Sequence, residues 1–181
     1  MLETYKQSIA NQLEAALCML HLCVERCPDE IWNGPVGNLA FCQVAFHALF
    51  FTDFYLGGPD EESFRSQPFH RENGQIFRDY EELEDRVQML LYDKPAIKAY
   101  LVHCRNKASQ VIAAEMEDTL QAPCGFARKA FSRAELYVVN IRHIQHHVAQ
   151  LSLRLRLDAM ESIPWVASGV ARIVDSQAGH R

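Results

Sequence analysis

Residues 132–157, SRAELYVVNIRHIQHHVAQLSLRLRL, run without a glycine or a proline. As a helix this stretch spans about 39 Å at ~1.5 Å per residue, enough to run the length of a small domain. It opens on Ser132-Arg133-Ala134-Glu135, a capping-box pattern in which serine and glutamate satisfy two free N–H groups at a helix start. Tyr137, Ile141, Ile144, Val148, Leu151 and Leu155 then recur at steps of four and three, which is one face of a helix.

Three histidines lie in the middle of this run. His143 and His147 are four residues apart, so they share a face and can approach one cation together. At about 100° per residue the pair sits on the shoulder of the apolar stripe, facing a crevice beside the core. His146 points nearly opposite the stripe and is expected to be wet. Pairing His143 with His146 is the alternative, and that pair leans away from the core. Either pair supplies two ligands, so a third must come from elsewhere.

A first long helix is expected over residues 3–26, with Ile9, Leu13, Ala16, Leu20, Cys23 and Cys27 in helical register and Pro28 stopping it. Cys18, Cys23 and Cys27 fit no ordinary zinc knuckle and read as small buried residues. A turn-rich connection containing Trp32, Gly34 and Pro35 leads to a second helix over residues 38–56, ended by Gly57-Gly58-Pro59. Ala40, Val44, His47, Phe51 and Phe54 form its inner line. His47, flanked by Val44 and Phe51, reads equally as a core histidine and as a ligand once a histidine pair stands on another helix. The aromatic cluster around it reads first as core, and second as the apolar wall of a pocket.

Residues 58–78 are polar and irregular, long for a bundle loop, and so a candidate lid or dimer contact; His70 within them is expected to be solvated. Residues 80–92 carry Leu83, Val87, Leu90 and Leu91 at helical spacing and lead into a third helix that restarts at Pro95 and continues to Leu120. His103 lies one step off its stripe and is expected to be exposed. The tail with Pro164 and Trp165 is expected to pack across the helices, and residues 176–181 to fray.

Four long amphipathic helices without a period-two run predict an all-α fold, a four-helix bundle, in one domain over residues 1–181. Apolar residues make up 49%, ample for a core, and the net charge of -5 with no basic run argues against nucleic acid and anionic membrane partners. No apolar run approaches the ~20 residues of a membrane span, and six scattered cysteines without an export signal point to a cytoplasmic protein. Glu-x-x-His, Walker and Gly-x-Ser-x-Gly signatures are absent from the sequence. Three histidines from two helices suit a divalent metal, zinc, nickel, iron and manganese being undistinguished, and leave positions open for water or substrate.

The segment Ala45-Phe46-His47-Ala48-Leu49, with the run Arg142-His143-Ile144-Gln145-His146-His147-Val148-Ala149-Gln150-Leu151, resembles the DinB-like (damage-inducible, YfiT-like) superfamily. The resemblance implies a bundle in up-down-down-up order and a metal triad of His47, His143 and His147. It also implies a metal-dependent transferase or isomerase that works with a low-molecular-weight thiol on a small-molecule substrate. The family run often continues His-His-Arg-Gly-Gln; here Val148-Ala149 replace Arg-Gly and Gln150 is kept. Gln43, Phe51, Asn140 and Gln150 are candidates for supporting the histidines or lining the substrate pocket. Two other readings remain: a metal- or ligand-binding bundle without turnover, and a bundle whose histidines only fill a seam. A homodimer is expected, the long 58–78 connection or Trp165 offering the surface.

Overall fold

The computed structural model describes residues 1–78, 80–84, 87–127 and 129–169; the fraying expected at 176–181 lies outside them. In order the elements are α1 (Leu2–Arg26), a single turn α2 (Asp29–Trp32), strands β1 (Pro35–Val36) and β2 (Leu39–Ala40), α3 (Phe41–Gly57), α4 (Glu61–Arg65) and α5 (Pro68–Glu72). A 3-10 turn (Glu81–Leu83), α6 (Lys94–Ala114), α7 (Glu117–Gln121) and α8 (Arg133–Ala159) follow. The fold is all-α, with one small hairpin.

Local chemistry sets where the long helices begin and end. α3 starts three residues later than the sequence pattern suggests, because Gly37 at φ +67° turns the chain and pairs Pro35 with Ala40 and Val36 with Leu39. Gln43 then caps α3, its Oε1 accepting the Ala40 N–H at 2.8 Å. Asp93 caps α6 by accepting from the Ala96 N–H at 2.7 Å. Ser132 caps α8, with Oγ accepting from the Glu135 N–H at 3.2 Å. α6 ends at Ala114, short of the expected Leu120, and α7 carries the remainder.

α1 and α3 each pack on both α6 and α8, so the four long helices form a ring around one apolar core. Hydrogen bonds give their directions. Tyr5 at the start of α1 donates to the Ala134 carbonyl at the start of α8, and Arg26 at its end donates to Ser162 just beyond α8, so these two run alongside in the same sense. Lys6 reaches the carbonyls of Ala113 and Glu115 at the end of α6, so α1 and α6 are antiparallel. Phe46 lies by Tyr100 and Asp53 by Lys107, so α3 and α6 are parallel. These are the pairwise directions that an up-down-down-up order requires.

Four expectations are corrected. The segment leading to α6 is not helical among its described residues: after the 3-10 turn it runs as an extended strap whose residues 87–92 alternate between exposed and sheltered, ending on buried Tyr92. Side chains take up the backbone groups a helix would need. Glu81 accepts the N–H groups of Met89 and Leu90, and Gln43 donates to the carbonyls of Gln88 and Leu90. The 58–78 excursion is folded onto the bundle, burying Phe64, His70, Ile76 and Phe77. Thus His70 is 2% exposed, not solvated, and His103 is half-buried, its ring stacked on Phe69 at 4.4 Å. Finally, Trp165 is 74% exposed; the tail packs through Ile163 and Val166 instead.

The excursion is held by Asp53, an acid among the buried residues of α3. Its side chain is fully buried. Oδ2 accepts from His70 Nε2 at 2.7 Å and from the Tyr100 hydroxyl at 3.0 Å, while Oδ1 is paired with the Lys107 ammonium. Lys107 also donates to Gln67 Oε1 at 2.8 Å and to the Asp53 carbonyl at 3.0 Å. Burial pushes the Asp53 carboxyl up, but His103, its Nε2 3.5 Å from Oδ1, the hydrogen bond from His70 and the Lys107 charge outweigh it and hold it well below the usual carboxylate range. Removing one partner of such a pair leaves the other charge stranded. Asp53→Ala is therefore expected to destabilise the fold by ~3–5 kcal/mol in urea unfolding, and a loss under ~1 kcal/mol would show that the network is idle.

Candidate metal centre

The site is set by how α8 is laid along α3. Arg133, the first residue of α8, donates through its two terminal nitrogens to the Tyr55 and Leu56 carbonyls at the end of α3, both at 2.8 Å. Two turns further, Asn140 donates to the Thr52 carbonyl at 3.2 Å. From these anchors the level of the histidines follows. His143 lies about 15 Å along α8 from Arg133, and His47 about 13.5 Å back along α3 from Leu56. Antiparallel helices bring such residues face to face.

They meet through one kind of atom. His143 Nε2 is 3.3 Å from His47 Nε2 and 3.2 Å from His147 Nε2. The three ligand atoms all lie within 4.8 Å of one another. Their other ring nitrogens point outward. His47 Nδ1 meets Glu82 Oε2 at 2.6 Å, and His147 Nδ1 meets Gln150 Oε1 at 3.0 Å. A carboxylate and an amide oxygen only accept, so both Nδ1 atoms carry the proton, and in the neutral rings both Nε2 atoms present lone pairs inward. An N–H on His143 can serve one of these neighbours well, whereas a cation serves all three. Tetrahedral bonds of about 2.0–2.1 Å put ligand nitrogens about 3.3–3.4 Å apart, close to the two spacings found.

Electrostatics agree. Burial, and the charges His147 and His47 would carry, push His143 down to about 3. Burial and His47 push His147 down to about 4. Both are neutral imidazoles at pH 7, the form that ligates.

The remaining candidates take varied places. Phe51 walls the site, its ring 4.9 Å from that of His47 and 5.5 Å from that of His143. Gln150 stands behind His147. Asn140 joins α8 to α3, and Gln43 holds the strap. His146 is exposed, and its hydrogen-bond partner among the described residues is the Gln150 amide, at 3.1 Å. The six cysteines are buried and in no disulfide, and Cys18, Cys23 and Cys27 form no ligand group among the described residues. Sequence reasoning missed Glu82, which sits in the segment misread as helix, and Asp53, signalled by an acid in the run Leu49–Leu56.

The profile of the DinB superfamily matches residues 12–151, a span that contains all three histidines and Gln150. The chain belongs to the DinB superfamily. No curated protein and no solved structure matches it. Where the DinB-like run often has Arg-Gly, this member has Val148, which is 1% exposed and serves the core, and an exposed Ala149.

A second group in this DinB-superfamily chain, Asp53, His70 and His103, also brings ligand atoms within 4.8 Å. It differs in already holding a cation, the Lys107 ammonium.

The lowered histidines fix a pH dependence. In the unfolded chain they take up protons near pH 6.5, in the native metal-free chain only near 3 and 4. The unfolded state therefore binds more protons in between, and their contribution to stability is complete above about pH 6.5 and lost as the pH falls toward 4. The urea midpoint of metal-free protein should fall steadily from pH 7 to pH 5; a flat midpoint contradicts this assignment.

Proposed function

We propose that this chain binds one divalent metal ion through Nε2 of His47, His143 and His147, and that it acts on a small molecule there as a transferase or isomerase assisted by a low-molecular-weight thiol. The observation carrying the metal reading is the convergence of three Nε2 atoms, two of them, on His47 and His147, with an acceptor across the ring. The substrate and thiol parts rest on the family resemblance, and a homodimer on an apolar face that pairing would shield.

A bound divalent ion supplies Lewis acidity, which makes a thiolate from a thiol near neutral pH or polarises a carbonyl. The chain's own residues do the rest. Glu82 and Gln150 hold two of the rings in the ligating tautomer. Phe51, Tyr55 and Phe126 form an aromatic wall beside His143 that shelters apolar parts of a substrate from water. Lys129, with its ammonium 5.2 Å from the Tyr55 ring centre, brings a positive charge that also bears on His143 and suits an anionic substrate group.

Alanine at His47, His143 or His147 should each remove most of the metal, measured by elemental analysis of untagged protein, while His146→Ala should leave it nearly unchanged. Loss on His146→Ala with retention on His147→Ala would redraw the site. With cobalt(II) in the site, added thiol should move the visible absorption; an unmoved spectrum would remove the thiol from the proposal.

A further inference from the structure

Glu82 is the residue of the site that neither bundle helix supplies. It stands in the 3-10 turn Glu81–Leu83, between the folded excursion and the strap. Its side chain is 2% exposed although it carries a carboxylate, and its one hydrogen bond within the described residues is that to His47 Nδ1 at 2.6 Å. The second oxygen, Oε1, is buried without a partner. Burying a carboxylate against a single imidazole is costly unless something beyond that imidazole draws on the charge. Opposite it, the other face of the His47 ring presents Nε2 to the two remaining histidines.

The turn around Glu82 is fastened on every side. Tyr80 precedes it at φ +48°, a conformation that a bulky residue holds only when its surroundings fix it. The Tyr80 hydroxyl meets His70 Nδ1 at 3.0 Å, within the Asp53 network. Glu81 accepts from Met89 and Leu90 of the strap at 2.9 and 3.0 Å. Neighbouring side chains therefore anchor the turn to the excursion on one side and to the strap on the other, and Glu82 joins it to the three histidines of the site.

We propose that Glu82 is a positioning residue, which fixes the tautomer and ring plane of His47 for a metal ion and so makes metal binding and docking of the strap reinforce one another. This rests on the three-histidine metal reading above. A carboxylate behind a ligating imidazole holds the ring in place and sets its negative charge where the ion's positive charge is felt through the ring. Because the carboxylate comes from the turn, whatever strengthens the metal bond to His47 also strengthens the hold on the turn, and the reverse follows by linkage.

The test uses the full chain with zinc and cobalt(II) as probes. Glu82→Ala should weaken zinc binding by about 10–100-fold in a chelator competition, and Glu82→Gln, which keeps an acceptor but no charge, by less. Both should shift the cobalt(II) visible bands, a change that mere loosening of a distant turn does not produce. Zinc should slow hydrogen exchange at the Met89 and Leu90 amides in the wild type and not in Glu82→Ala. Zinc affinity within twofold of wild type in both variants, with unmoved cobalt bands, overturns the inference while leaving the metal site standing. If Glu82→Ala does not fold, the same result in the isosteric Glu82→Gln overturns it. Equal slowing of exchange in the wild type and Glu82→Ala overturns the coupling to the strap. A wild type that binds neither ion fells the metal reading itself, and this inference with it.

Discussion

The Arg133 guanidinium on the last carbonyls of α3 is the contact on which the site depends. A helix end leaves carbonyls without partners, and a buried one must find donors. Here the donors come from the first residue of another long helix, so satisfying α3 also fixes where α8 begins. The guanidinium is held in turn by Glu115 at 3.0 Å, whose Oε1 also accepts from the Tyr137 hydroxyl at 2.6 Å. Burial raises the Glu115 carboxyl, but Thr119, Tyr137 and Arg133 bring it below its ordinary value, so the ion pair stays charged at neutral pH. A slip of one residue along α8 rotates it by about 100° and moves His143 and His147 off the seam. The register that puts three imidazole nitrogens together is thus set at the far end of the helix pair by a polar contact, and only then filled in by Ile144, Val148 and Leu151.

What the sequence made legible follows from how local each feature is. The stripe of α8, its serine cap and the shoulder position of His143 and His147 are properties of one helix, and period and spacing reveal them. The class of the fold follows from four such stripes. What stayed hidden depends on contacts between segments distant in sequence. The strap carries Leu83, Val87, Leu90 and Leu91 at a spacing that satisfies a helix, yet Glu81 and Gln43 capture its backbone groups and leave it extended. His70 lies in a polar stretch and looks wet until Asp53, seventeen residues earlier, is seen to need a partner. Glu82 has no motif; it is one of several acids in its stretch, and only the fold shows that it faces His47. Trp165 shows the reverse error, since a large apolar residue near a chain end carries no statement of what it packs on.

The two groups of ligand-type residues in this protein separate structure from chemistry by their charge. Both place three potential ligand atoms within the same small radius. Around Asp53 the charge is already met: one carboxylate, one ammonium, a histidine pushed down by burial and so neutral, and a hydroxyl, with His103 Nε2 left without a hydrogen-bond partner among the described residues. A divalent ion entering there would have to displace Lys107 from three oxygens. Around His47 the account is open. Three rings turn nitrogens toward one another, and a buried carboxylate waits behind one of them with an oxygen to spare. Protonation would supply the missing positive charge, but burial and mutual repulsion hold His143 and His147 too low for that at pH 7. The metal ion proposed here would resolve this, since its charge does not depend on pH and it accepts several lone pairs at once. The turn at residues 80–83 touches both groups, through Tyr80 and Glu82, so the closed network serves as the fixed point from which the open one is held in shape.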